Sequence, residues 1–163
     1  MDSPFSRVAA CRDGVLLDTN VLLLLLIGSV NEDLIEKCSR LRAYSARDFR
    51  LLRLLLKDAH GFVVTPHIAT ETWNLAENSL TGEYGKQFKD LFARFLENAR
   101  ETWVRVSLLA AEDYFKRLGV ADTGVARIRR KRPIVVTDDS HLTRQLEKQG
   151  ALVVNFTHLR VWE

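Results

Sequence analysis

The sequence predicts an α/β fold in which a parallel sheet is covered by helices on both faces. Short apolar runs of strand length alternate with longer stretches of helical periodicity, the order that parallel strand–helix–strand units require. Two of those runs, Gly14-Val15-Leu16-Leu17 and Pro133-Ile134-Val135-Val136-Thr137, stop on carboxylates, Asp18 and Asp138-Asp139. The chain has 163 residues, 47% of them hydrophobic and 28% charged, enough to bury a core without disulfide staples.

Taken in order, residues 1 to about 12 read as a loose lead-in. A strand over Gly14 to Asp18 precedes the leucine-rich run from Val21, which lacks period-2 alternation and reads as a buried helix starting at Asn20. Asn31 offers a cap for a helix with Leu34, Ile35, Cys38 and Leu41 on one face. Ser45 and Asp48 have capping-box spacing and open a helix running to His60-Gly61, with Arg50, Arg53 and Lys57 outward. Phe62 to Thr65 is a second strand, and Pro66 stands where a first helical residue is tolerated.

The next helix carries Ile68, Thr72 and Leu75 on one stripe. A longer amphipathic helix turns Tyr84, Phe88, Leu91, Phe92, Phe95 and Ala99 inward. Trp103 to Val106 is the expected third strand. A helix marked by Ala111, Tyr114, Phe115 and Leu118 ends at Gly119, and Asp122 opens a short one through Ile128. After the strand at Pro133 to Thr137, a helix runs to Gly150, and Ala151 to Phe156 closes the sheet. No repeat, low-complexity tract or linker divides residues 1–163, so one domain is expected.

Composition narrows the function less than it narrows the fold. Lys and Arg number 24 against 21 Asp and Glu, a net charge of +3. Such a balance permits nucleic-acid binding without arguing for it. Cys11 and Cys38 share no CxxC spacing and read as two reduced thiols. The first residues lack a charged region followed by an apolar one, and the run Val21 to Ile27 is too short to span a bilayer. A cytoplasmic location with no membrane partner is the expectation.

The acidic residues carry the chemistry. Asp18 and Asp138/Asp139 follow apolar strands directly, and ligands of open parallel sheets bind outside the carboxyl ends of the strands. Capping of the next helix is the plainer alternative for each. Glu71 lies three residues after Ile68 and four before Leu75, on the apolar stripe of its helix, whereas Glu77 falls on the solvated side. A carboxylate on a core-facing stripe costs several kcal/mol unless paired, on the order of an unpaired buried charge. Asp122 sits in a first helical turn, where the helix dipole alone would favour it. Four acids in one layer of a fold repel one another unless a cation intervenes, and all-oxygen ligands suit Mg²⁺ or Mn²⁺.

Arg127, Arg129, Arg130, Lys131 and Arg132 are candidates for holding a phosphate backbone beside the acids, with a solvated helix end as the alternative. Arg50, Arg53 and Lys57 have the same two readings. The four histidines form no metal-ligand spacing except His67 to Glu71, one helical turn. No GxGxxG, GxxxxGK[ST] or GxSxG motif occurs. Trp73, Trp103 and Trp162 read as core or core-edge residues.

Val15-Leu16-Leu17-Asp18-Thr19-Asn20, Thr65-Pro66-His67-Ile68-Ala69-Thr70-Glu71, Gly119-Val120-Ala121-Asp122 and Val135-Val136-Thr137-Asp138-Asp139-Ser140-His141-Leu142 occur in the order of the PIN domain family of metal-dependent nucleases, which the chain resembles from Val15 onward. The stretch from Gly150 to Leu159 resembles the family's last strand and turn. The resemblance implies a roughly five-stranded parallel sheet between helices and an endoribonuclease that leaves 5′-phosphate and 3′-hydroxyl ends. It makes Asp18, Glu71, Asp122 and Asp139 the catalytic, metal-binding acids, with Mg²⁺ or Mn²⁺ as cofactor. Thr19 and Asn20 would shape the first loop, Thr137 would support the last acid, and Asp138 would be a supporting neighbour. One departure is the long interval between Asp18 and Glu71, where many small toxin-like members are shorter.

The leading expectation is therefore a metal-dependent endoribonuclease acting on RNA, in its narrower form the toxin of a toxin–antitoxin pair. A cognate antitoxin and a second copy of the chain are the candidate protein partners. The alternative is a non-catalytic RNA-binding or scaffold module that keeps the fold. A phosphotransfer domain is disfavoured because position 20 is Asn, which breaks the DxD spacing after Asp18.

Overall fold

The computed structural model describes residues 3–128 and 132–161. Five strands, β1 (Val15–Leu17), β2 (Phe62–Val64), β3 (Arg100–Glu101), β4 (Ile134–Thr137) and β5 (Val153–Asn155), pair in parallel in the order β3-β2-β1-β4-β5. Helices flank this sheet, so the predicted α/β class holds. Every residue of the two neighbours β1 and β4 is buried, which is why both read as continuous apolar runs without alternation. From β1 the chain proceeds to β2 on one side, and from β4 to β5 on the other. The divergence makes a topological switch point, and the crevice outside the carboxyl ends of β1 and β4 is the usual ligand position in such sheets.

The helices are α1 (Pro4–Ala10), α2 (Thr19–Val30), α3 (Ala46–Leu55), α4 (Pro66–Glu77), α5 (Gly82–Asn98), α6 (Val106–Ala110), α7 (Phe115–Arg127), α8 (Ser140–Lys148) and α9 (Phe156–Val161). Helix α2 is apolar on nearly every face because it packs against α3, α4 and α5 as well as the central strands. Its approach to α3 is close. A Cβ added to Gly28 would collide with the Phe49 ring, so glycine sets the spacing of the two helices. Among the described residues, no helix is long and apolar enough to cross a membrane.

Several elements differ from expectation for identifiable reasons. Helix α2 begins at Thr19, and its cap is Asp18 instead of Asn20, with the Asp18 carboxylate accepting from Val21 N. Residues 4–10 form a helix where a loose lead-in was expected. Ser3 caps it, Pro4 occupies its first turn, and Arg7 donates to the Val153 carbonyl at 2.9 Å. Burial of Val8 adds about 1.5–3 kcal/mol of anchoring.

The helix expected after Asn31 is two 3₁₀ turns, Glu32–Leu34 and Ser39–Leu41. Leu34, Ile35, Cys38 and Leu41 are nevertheless all buried, so the expected apolar positions hold without the continuous helix. Helix α3 has the full Ser45–Asp48 capping box but stops at Leu55, before His60-Gly61. The third strand lies at Arg100–Glu101 instead of Trp103 to Val106, and Trp103 is 65% exposed. This edge strand is two residues long and charged, a common form for an exposed sheet edge, so its side chains gave no strand signal. Tyr84, expected inward, is exposed, while Phe88 and Phe92 of the same helix are buried.

Candidate functional site

The switch-point crevice is a cleft of about 550 Å³ whose walls include Asp18, Glu71, Asp122, Asp138 and Asp139. Four separate segments deliver these groups: the ends of β1 and β4, helix α4, and helix α7. Each reaches the cleft through a different local device.

Asp18 leaves β1 at its carboxyl end and is 5% exposed. Its carboxylate accepts from Val21 N at 3.0 Å, from Asp138 N at 3.1 Å and from the Thr137 hydroxyl. One side chain thereby caps α2 and ties β1 to the end of β4. Burial raises its pKa to about 8, helped by the charge of Asp138 and opposed by the hydrogen bonds from Thr137 and Val21. Thr137, expected to support Asp139, accepts at its Oγ1 from Asp139 N at 3.0 Å.

Asp139 is the cap of α8. Its Oδ1 accepts from His141 N at 2.6 Å and Leu142 N at 2.8 Å. Asp138 points to other partners. It accepts from Asn20 Nδ2 at 3.3 Å and from the Tyr44 hydroxyl. Tyr44 is 4% exposed, and burial followed by the Asp138 hydrogen bond pushes its pKa upward, so the phenol remains a donor. The Arg160 guanidinium stacks 4.7 Å over the Tyr44 ring and pairs with Asp48 at 2.7 Å, which braces Tyr44 from behind.

Asp122 depends on a glycine. Gly119, at φ 77° and ψ −174°, breaks α7 into two helical segments, a backbone state that L side chains rarely adopt. The second segment restarts at the cleft, with Asp122 in its first turn. Burial raises the Asp122 pKa to about 7, and the charges of Asp139, Glu71 and Asp138 push it the same way. Glu71 departs from the expectation of a core-facing carboxylate. It is exposed: α4 buries Ile68, Thr72 and Ala76, and Glu71 flanks that stripe on the cleft wall. Thr19 Oγ1 donates to its Oε2 at 2.8 Å. The cleft thus gives Glu71 the reason for its position that core burial does not.

Of the expected basic cluster, the two described members, Arg127 and Arg132, do not line this cleft. Arg127 ends α7, five residues beyond Asp122, and is ion-paired with Glu112. Arg132 precedes β4 at the amino end of the sheet and lines a separate cavity. Arg129, Arg130 and Lys131 lie outside the described residues, as does Trp162. Arg50, Arg53 and Lys57 line an open groove beside Leu25 and Phe62, also apart from the cleft. Two residues of the site carried no signal in the sequence: Arg40, in the second 3₁₀ turn, and Tyr44, neither of which belongs to a motif.

The raised carboxyls make metal-free stability depend on pH. Both groups have folded values above the ordinary 3.8, so their contribution is complete below that value and is lost as pH rises through about 7 and 8. The melting temperature of metal-free protein is expected to fall between about pH 4 and about pH 8 and then to level off. Asp18→Asn should flatten most of that fall. A profile identical to wild type in the variant would show that Asp18 does not titrate in this window.

Among the described residues, no three His, Cys, Asp or Glu side chains stand close enough to be ligands of one ion as they are placed. Neither protein-family models nor curated proteins nor solved structures gave a match to the chain.

Proposed function

We propose that the cleft binds Mg²⁺ or Mn²⁺ and that the protein is a metal-dependent endoribonuclease of the PIN domain type. The observation that carries this reading is the convergence of Asp18, Glu71, Asp122 and Asp139, from four segments, on one crevice at the switch point. The donor set fits a hard divalent cation: it is all carboxylate, and the raised Asp18 and Asp122 express repulsion and burial that a cation would relieve. The spacing of the carboxylates calls for waters in part of the coordination sphere, which Mg²⁺ ordinarily keeps.

Asp18, Glu71, Asp122 and Asp139 would hold the ion, which supplies charge neutralisation at phosphate oxygens and a water of lowered pKa. The chain's own residues do the positioning. Thr137 and the Asp138 N–H fix Asp18, Thr19 orients Glu71, and two N–H groups of α8 orient Asp139. Protons on the Asp18 and Asp122 carboxyls must leave for ligation, so affinity for the ion should rise with pH through about 7 and 8. RNA is the proposed partner and the cytoplasm the proposed location, to which the free, buried Cys11 and Cys38 are suited. A role as toxin with a cognate antitoxin is the narrower form of this reading.

The absence of a ready ligand triad among the described residues favours a second reading, a non-catalytic RNA-binding or scaffold module. One experiment separates the two. Millimolar Mn²⁺ is expected to raise the melting temperature by several degrees, because a ligand confined to the folded state stabilises it. The same ion should switch on cleavage of total RNA. RNA binding with neither a melting shift nor cleavage would establish the second reading.

A further inference from the structure

The segment between α2 and α3 places one cation in a cleft otherwise charged by carboxylates. Arg40 is the single Lys or Arg among the described residues lining it, facing Asp18, Glu71, Asp122, Asp138 and Asp139. Its backbone is pinned, because Cys38, Leu41 and Tyr44 on either side are buried. Its guanidinium is held by one edge: Nε donates to Asn20 Oδ1 at 2.8 Å, and Asn20 Nδ2 donates in turn to Asp138. Among the described residues Arg40 forms no ion pair, and its two terminal nitrogens have no hydrogen-bond partner.

A cation that served only to neutralise neighbouring acids would be paired with one. This one is anchored through a neutral amide, which leaves its two-pronged donor face available at the cleft. We infer that Arg40 is a substrate-binding residue that grips nonbridging oxygens of an RNA backbone phosphate, an inference that rests on the nuclease reading above. A planar guanidinium with five donors matches phosphate geometry, and prior anchoring reduces the entropy lost on binding. The need is physical, since the acidic side chains that line the cleft offer a polyanion no attraction of their own.

The test is cleavage of a short single-stranded RNA in Mn²⁺ by wild type, Arg40→Gln and Arg40→Lys, across a salt series. Arg40→Gln is expected to lower kcat/KM about tenfold, mainly through KM, as loss of a charged hydrogen bond does. It should also make the dependence of log(kcat/KM) on log salt shallower by about 0.7, the value for one phosphate contact on a single strand. Arg40→Lys should restore the salt slope and only part of the rate. The Mn²⁺ melting shift should be that of wild type in both variants, which also verifies folding. An active wild type with unchanged KM and salt slope in Arg40→Gln overturns the inference and leaves the nuclease reading intact. Loss of kcat together with the Mn²⁺ shift also overturns it, because Arg40 would then act only by holding Asn20 and Asp138. Wild type that neither cleaves nor responds to Mn²⁺ overturns the nuclease reading, and the inference with it.

Discussion

Asp18→Asn is expected to reduce Mn²⁺-dependent RNA cleavage about a thousandfold or more, the scale of removing one member of a unit that acts together. The same change should leave the metal-free protein at least as stable as wild type. Opposing effects decide the second expectation. Asparagine is as good a helix cap as aspartate, so an amide oxygen placed toward Val21 N preserves the start of α2. The amide nitrogen then faces the Asp138 N–H and the Thr137 hydroxyl. Thr137 can rotate to accept, but the Asp138 N–H loses its partner, a cost of about 1–3 kcal/mol. Against this stands the removal of a buried carboxylate whose pKa is raised from 3.8 to about 8. Every tenfold change in proton affinity between the folded and unfolded chain corresponds to about 1.4 kcal/mol, so near neutral pH the relief amounts to several kcal/mol. Relief wins. Calorimetry in EDTA and cleavage assays in Mn²⁺ check the two halves separately. A variant that cleaves like wild type removes Asp18 from the chemistry, and one that melts far lower shows that its capping and tethering role dominates.

The parts of the fold legible in the sequence are those whose burial is decided locally. Strands β1 and β4 are covered on both faces, so their residues are almost uniformly apolar and each stops where a carboxylate begins. Ser45 and Asp48 cap α3 through contacts three residues apart, and Gly119 breaks α7 through its own φ. Elements defined by a distant partner were not legible. Strand β3 exists because Arg100 and Glu101 pair with Val63 and Val64 through backbone alone. Helix α1 is anchored by Val8 and by an Arg7 contact to β5, too few residues for a periodic pattern.

The site divides along the same line. Asp18, Glu71, Asp122 and Asp139 all reach the cleft, because strand ends and helix starts converge at a switch point whatever the side chains are. Glu71 reaches it for a different reason from the one its helical stripe implied: α4 turns Ile68 and Thr72 to the core and Glu71 beside them to the opening. Of the basic run, the two described residues, Arg127 and Arg132, stand apart from the cleft although they are near Asp122 in sequence. Five residues of helix carry the chain about 7–8 Å from Asp122 to Arg127, toward the opposite end of the sheet. Arg40 and Tyr44 were invisible for the converse reason. Their partners Asn20 and Asp138 are 20 and 94 residues away, and no local pattern encodes such pairs.

Asp139→Asn is expected to cost more than about a hundredfold in cleavage, and Asp138→Asn about tenfold to a hundredfold, the range for residues that orient ligands. Consecutive residues leaving a strand start in opposite directions, and these two have different environments. Both Asp138 oxygens are occupied, by Asn20 Nδ2 and by the Tyr44 hydroxyl, so the group is committed to holding the first loop and residue 44. Asp139 uses only Oδ1, for the two N–H groups at the start of α8, and its Oδ2 has no hydrogen-bond partner among the described residues. That free oxygen, beside the raised Asp122 carboxyl, is the better placed to meet a cation. Asparagine at 139 keeps the cap through its carbonyl oxygen and removes the charge, so this substitution separates the chemical role from the structural one. The helix signal and the metal-free melting temperature should therefore change little, while the Mn²⁺ melting shift collapses. Asparagine at 138 should keep much of that shift, since its carbonyl can accept from Tyr44 while its amide displaces one Asn20 contact. Single-turnover cleavage and Mn²⁺ titration of both variants provide the comparison. A larger loss at 138 than at 139 would assign the metal-facing role to Asp138 and leave Asp139 as a cap alone.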